Sequence, residues 1–216
     1  MREGIITEYT KKGEVKYHVI KGKNLQPIGS EKYAYGTPFF EGFAVVRMEN
    51  GMLSLIDDGG KTVIENLSKV NDENIVLTGI PSEGLIRFKN EDGLWGYLNT
   101  QGVIEINPQF GACENFRDGK ARVILADGKF AVIDKKGQEI FKGKDDFTYQ
   151  PMHDGLMAFS EKGGKQTLWG VMNTEGEKVI KDNKFSEISP FYDGVAAAKV
   201  DNEWGVINKA GEYVGD

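Results

Sequence analysis

Leu94-Trp95-Gly96-Tyr97-Leu98-Asn99-Thr100-Gln101-Gly102-Val103-Ile104-Glu105-Ile106 decides the fold. A large aromatic is followed by a residue without a side chain, two bulky apolar residues and an asparagine. Glycine comes three residues later. Asx at the first position of a four-residue turn and glycine at the fourth is type I turn chemistry. The flanking segments are too short for helices and rich in branched and aromatic residues, so they read as two strands joined by that turn.

The same phrase recurs in both directions. Phe130-Ala131-Val132-Ile133, Trp169-Gly170-Val171-Met172 and Trp204-Gly205-Val206-Ile207 repeat the large-small-apolar-apolar order, and Leu53-Ser54 fills the place upstream. Asp134, Asn173 and Asn208 repeat the Asx, with Gly137, Gly176 and Gly211 three residues on. Upstream of each phrase stands an acid-glycine anchor: Glu3-Gly4, Glu41-Gly42, Glu83-Gly84, Asp118-Gly119, Asp154-Gly155 and Asp193-Gly194. The anchor glycines are 38, 42, 35, 36 and 39 residues apart. The largest insertion lies around Gly163-Gly164-Lys165, and the first copy is degenerate, with Lys16-Tyr17 where the large-small pair should be. A fixed period of this length is the mark of a repeat architecture.

After each anchor glycine the second and fourth residues are Ala44 and Val46, Ile86 and Phe88, Ala121 and Val123, Met157 and Phe159, Ala196 and Ala198. Period two puts each pair on one face of a strand, toward a core. Asn50-Gly51, Asp92-Gly93 and Asp127-Gly128 then supply the positive φ angles of a tight hairpin. The short strands Val103–Ile106, Glu139–Phe141 and Lys178–Ile180 follow, and the linkers 111–116 and 186–191 hold a candidate fourth. No window keeps a 3.6-residue apolar period with caps. The expected fold is all-β with almost no helix. It is one repeat domain over residues 1–216, with copies at about 1–38, 39–80, 81–115, 116–151, 152–190 and 191–216. Each copy has too few strands to fold alone, and stacked neighbours supply the missing core. An open β-solenoid or twisted array is the favoured closure, and a six-bladed propeller the alternative.

These residues resemble the WG-repeat family, also called KWG repeats, common in bacterial proteins. The segment from Leu94 to Phe110 is closest to the family's phrase, and Glu203–Asn208 and Leu168–Asn173 also fit. The resemblance implies a β-rich repeat and carries over no catalytic residue.

Composition agrees. Glycine is 28 of 216 residues, and the anchors, turns and small positions absorb most of it. The net charge of −6 disfavours nucleic acid, and no apolar run is long enough to span a membrane. The N-terminus lacks the pattern of a signal peptide. The protein is expected in the cytoplasm if Met1 is the native start, and in the periplasm or on the cell surface if a leader has been removed.

No catalytic, cofactor or metal site is assigned. His18 and His153 have no Cys or carboxylate at zinc-ligand spacing and read as ordinary turn or strand residues. Cys113 reads as a small packing residue. Gly60-Lys61-Thr62 imitates the end of a phosphate-binding loop, but Leu55 stands where its first glycine belongs. The anchor acids, with Asp57-Asp58 and Asp145-Asp146, lack the ligand density of a calcium loop. They read instead as acceptors for backbone amides at a bend. The tryptophans could form a sugar-stacking ladder, but the small residue after each favours packing in a crowded core. The functional expectation is a non-enzymatic scaffold that binds a protein partner, with no cofactor. The alternative is a cell-surface or periplasmic glycan-binding module. An enzyme site assembled across copies from Cys113 and the histidines is a third.

Overall fold

The computed structural model describes residues 4–163 and 167–215, with backbone alone at 30–31 and 181–183. Met1 and Glu3 of the first anchor, and Gly164 and Lys165 of the insertion, lie outside the described residues. The chain divides into two compact units, Met1–Arg117 and Asp118–Asp216. Among the described residues there is no helix, and none that could cross a membrane.

The first unit holds three antiparallel sheets. One joins β1 (Ile5–Tyr9), β2 (Val15–Lys21) and β3 (Asn24–Tyr33). The next joins β4 (Tyr35–Gly36), β5 (Phe43–Arg47), β6 (Leu53–Asp57) and β7 (Thr62–Ile64). The third runs β8 (Lys69–Val70), β9 (Glu73–Ser82), β10 (Leu85–Asn90), β11 (Trp95–Asn99) and β12 (Ile104–Phe110). The two-residue β13 (Ala112–Cys113) follows. In the second unit, β14 (Lys120–Ile124), β15 (Phe130–Asp134) and β16 (Glu139–Lys142) pair in order. So do β17 (Phe147–Tyr149), β18 (Leu156–Glu161), β19 (Trp169–Asn173) and β20 (Lys178–Phe185). The last sheet is β21 (Glu187–Ile188), β22 (Val195–Val200) and β23 (Glu203–Asn208).

The fourth strand expected in the linkers exists, and it pairs forward. β4, β17 and β21 precede their anchors and join the hairpin that follows. A repeat counted from its anchor therefore hands its last strand to the next sheet. Cores also lie between sheets rather than within them. Val45 and Leu55 pack with Ile86, Phe88 and Leu98 of the following sheet. Phe130 and Val132 pack with Met157 and Phe159 in the same way. Every residue of the five period-two pairs is buried. Each large apolar side chain so buried contributes about 1.5–3 kcal/mol.

Turn chemistry departs from the expectation in one respect. Asn50-Gly51, Asp92-Gly93 and Asp127-Gly128 do not form two-residue hairpins with two positive φ angles. Only the glycines have φ above zero. Gly51 N donates to Met48 O, and Met48 N to Met52 O, so the loop has three central residues and ends in a glycine bulge. Two-residue turns occur at the anchors, and also at Asn71-Asp72 and Asp201-Asn202. Glu41, Glu83, Asp118, Asp154 and Asp193 have φ between 49° and 53°, and the glycine after each is also positive. Phe40 and Phe43, His153 and Leu156, and Tyr192 and Val195 exchange both backbone hydrogen bonds across them. That is the mirror-image type I turn which matches strand twist. The Asx turns match the sequence reading. Asn99, Asp134, Asn173 and Asn208 each accept two backbone N–H bonds on Oδ1.

Candidate functional site

Two of the anchor acids, Glu41 and Asp154, accept backbone amides from the next copy and not from their own bend. Glu41 takes Glu83 N on Oε1 at 2.6 Å and Gly84 N on Oε2 at 3.0 Å. Asp154 Oδ2 takes Gly194 N at 2.8 Å. Two amides of a left-handed turn thus form a small anion nest, filled by the preceding carboxylate. A second link runs beside it. Lys120, one residue past its anchor, holds Thr174 Oγ1 and Glu175 Oε1 on the Asx loop of the next copy, and this cation keeps the Glu175 carboxyl below its ordinary range.

The tryptophans are not core residues. Trp95 and Trp169 are half-buried, and Trp204 is 56% exposed. Only Phe130 is buried at that position. Each stands at or next to the start of the second strand of its hairpin, and over Trp95, Phe130 and Trp204 lies a cationic side chain. The Arg87 guanidinium sits 5.2 Å from the Trp95 centroid, Arg122 sits 5.2 Å from Phe130, and Lys199 Nζ sits 5.8 Å from Trp204. The small residue that follows answers a different need. A Cβ at Gly96 would meet Ile106 O at 2.5 Å and Pro108 N at 2.8 Å, because β12 bulges toward it. At Gly205 the Tyr213 ring fills the space.

Sequence reasoning missed a pair of buried tyrosines. Tyr17 in β2 donates its hydroxyl to Thr37 O, and Tyr97 in β11 to Glu114 O, both at 2.6 Å. Each ties the middle of a sheet to the linker leading to the next anchor. Burial pushes both phenols upward. The signal available was a tyrosine where most copies carry an aliphatic residue.

Cys113 is buried beside Tyr97, and its backbone carbonyl accepts Arg87 Nη1 at 2.8 Å. Burial raises its thiol to about 11, so the nucleophilic thiolate is disfavoured at neutral pH. His18 lies 3.7 Å from Glu8. His153 lies against Tyr192, with ring centroids 4.6 Å apart. Both residues directly precede an anchor acid. Among the described residues no group of three His, Cys, Asp or Glu is placed to hold a metal. Gly60 of the loop that imitates a phosphate cradle packs its backbone on Gly29, and Asp57 Oδ1 fills the loop by accepting Gly59 N and Lys61 N. Asp145 pairs with Lys129 at 2.9 Å.

Open clefts lie in both units. In the first unit one of about 730 Å³ lies beside Met48, Met52 and Ser54, and one of about 840 Å³ lies beside Phe39, Glu41 and Asp58. In the second unit one of about 250 Å³ lies beside Phe130, Phe147 and Tyr149.

Antiparallel sheets of three to five short strands, several begun by the linker before them and sharing their cores with neighbours, define a tandem β-blade protein. Solved structures agree on the fold. The computationally designed Ika8 protein is 15% identical with a TM-score of 0.50, the match covering 99% of this chain and 71% of that one. The C-terminal WD40 domain of Sif2 is also 15% identical at 0.50, covering 99% and 68%. Such likenesses speak to the fold alone, and WD40 blades are propeller blades. No curated protein matches the chain. The model of the WG containing repeat matches residues 95–130 and 169–204, so these two stretches are similar to that repeat. Both matches open on the tryptophan of a large-small pair, Trp95 and Trp169.

Proposed function

We propose that this chain is a non-enzymatic β-repeat scaffold that holds a protein partner against the exposed face of its last sheet. One observation carries the reading. Trp204, Val206 and Val214 are exposed and share one face of the last sheet, while the exposed Tyr213 lies on its other face, opposite Ile207. Val214 N donates to Val206 O at 2.8 Å, and the Tyr213 ring covers Gly205. Tryptophan and tyrosine on a rigid sheet are the side chains that dominate protein interfaces. Similarity to WG repeats and a blade fold support this use, since stacked blades offer broad surfaces and fixed geometry.

A second reading rests on the same ring. An exposed indole can stack on a sugar, which keeps a glycan-binding module in view. Cross-linking from a photoreactive group placed at Val214, on the face of Trp204, distinguishes the two. The scaffold reading expects a discrete protein adduct that falls about tenfold with Trp204→Ala, as for an interface hot spot. Retention on a glycan array with no protein adduct would favour the second reading.

A further inference from the structure

The small cleft of the second unit differs in charge from the chain around it. Arg122, Lys129, Lys144 and Lys162 line it, against Asp145 as the one carboxylate, in a protein of net charge −6. Its apolar wall is aromatic. The Phe130 and Tyr149 rings meet edge to face with centroids 4.1 Å apart, and Phe147 lies beside Tyr149 at 6.0 Å. Phe147 and Tyr149 are half-buried, so part of each remains open to a ligand.

The framework is fixed from several sides. Tyr149 hydroxyl accepts Lys144 N at 3.1 Å, which closes the connection between β16 and β17. Lys129 holds Asp145 by its carboxylate, and Lys162 donates to Asp145 O at 2.9 Å. Lys144 Nζ lies 5.9 Å from the Phe147 ring centre. Gly128 and Gly143 also line the cleft and add no side chain to fill it.

We infer that this cleft binds a short acidic peptide segment carrying one aromatic side chain. The inference rests on the scaffold reading and names the chemistry of one of its partners. The aromatic side chain packs on Phe147 and Tyr149, where ring pairs gain energy beyond burial. Flanking carboxylates meet the positive charge that the cleft keeps after Lys129 pairs with Asp145, and charge complementarity selects the ligand and speeds encounter. A volume of about 250 Å³ suits one side chain and its neighbours, and is smaller than a typical small-molecule pocket. A nucleic acid fits less well, because a long polyanion would leave the cleft and meet the acidic remainder of the surface.

The test is fluorescence anisotropy on the whole chain with fluorescein-labelled Glu-Glu-Phe-Glu-Glu. The same peptide with glutamine for every glutamate, and a labelled oligothymidine, serve as comparisons. Binding of the acidic peptide is expected, weaker by about tenfold or more for the glutamine peptide and falling as salt rises from about 0.05 to 0.5 M. The double variant Lys144→Glu with Lys162→Glu, both exposed positions, should lose binding while Lys69→Glu in the first unit keeps it. Equal binding of the glutamine peptide overturns the inference without requiring any variant to fold. So does tighter binding of the oligothymidine, or no binding of the acidic peptide. If the peptide fails while a protein adduct still forms at the last sheet, the scaffold reading stands alone. If the peptide binds but is cleaved or modified, the cleft stands and the non-enzymatic reading falls.

Discussion

The described anchor acids hold a backbone conformation that L residues seldom adopt. With φ near +50°, Glu41, Glu83, Asp118, Asp154 and Asp193 each bear strain of about 1–2 kcal/mol relative to glycine. At Glu41 and Asp154 the carboxylate offsets it by binding amides in the next copy. Glu41→Ala keeps the strain and loses both bonds to the Glu83-Gly84 turn. It should cost about 1–2 kcal/mol by urea unfolding, modest because the freed amides are exposed to water. A second residue-scale expectation concerns Cys113. In the unfolded chain its thiol ionises near pH 9, while in the folded chain it keeps its proton to about 11. Between those values the unfolded state binds fewer protons, so stability falls as pH rises. Unfolding midpoints from pH 8 to 11 should therefore decline less steeply for Cys113→Ala than for the parent chain. The residue scale was also where the sequence was most ambiguous. An Asx-Gly pair serves a three-residue loop, where only glycine needs positive φ, as well as a two-residue turn, where both do. Sequence alone gave no reason to prefer the acid-glycine anchors for the tighter turn.

At the scale of strands, the paired positions Ala44 and Val46 through Ala196 and Ala198 were legible because period two fixes the buried face. The aromatic at or next to the start of β11 or β23 was not, because alternation does not say how close to a strand's end a residue lies. Tryptophan before glycine suggested ring over bare backbone within a core. The structure instead puts the ring near the strand's start under a cation and spends the missing side chain on a neighbouring strand. Gly96→Ala drives a methyl group into β12 at Ile106 and Pro108, and should cost about 1–3 kcal/mol. Gly128→Ala tests φ alone, since nothing lies within 4 Å of its Cβ position, and should cost about 1–2 kcal/mol. A smaller loss at Gly96 than at Gly128 would mean that β12 yields easily. The cationic cleft was illegible for a related reason. Its four cations are spread from Arg122 to Lys162, and only the folding of successive sheets brings them to one place.

At the scale of the molecule, each unit is held by cores that form between sheets and by polar links across the same seams. Stability should therefore be local to a seam and its neighbours. Lys120→Ala removes the link to Thr174 and Glu175. Hydrogen exchange should quicken in β14, β15, β18 and β19 by about 0.5–1 kcal/mol of opening energy, with no change in the first unit. Protection lost evenly along the whole chain would contradict this picture.

The forward reach of Glu41 and Asp154 bears on how such a gene can lengthen or shorten. A carboxylate in one copy finds its amides in the next, and the linker strand likewise belongs to the sheet that follows. Where these links recur, a stretch of one full period carries both halves of each link and can rejoin its flanks. Unequal recombination that adds or deletes one such stretch leaves no orphaned bond at the junction. Copy number can then drift freely, and the reach of the binding surface can change without a new interface having to be invented.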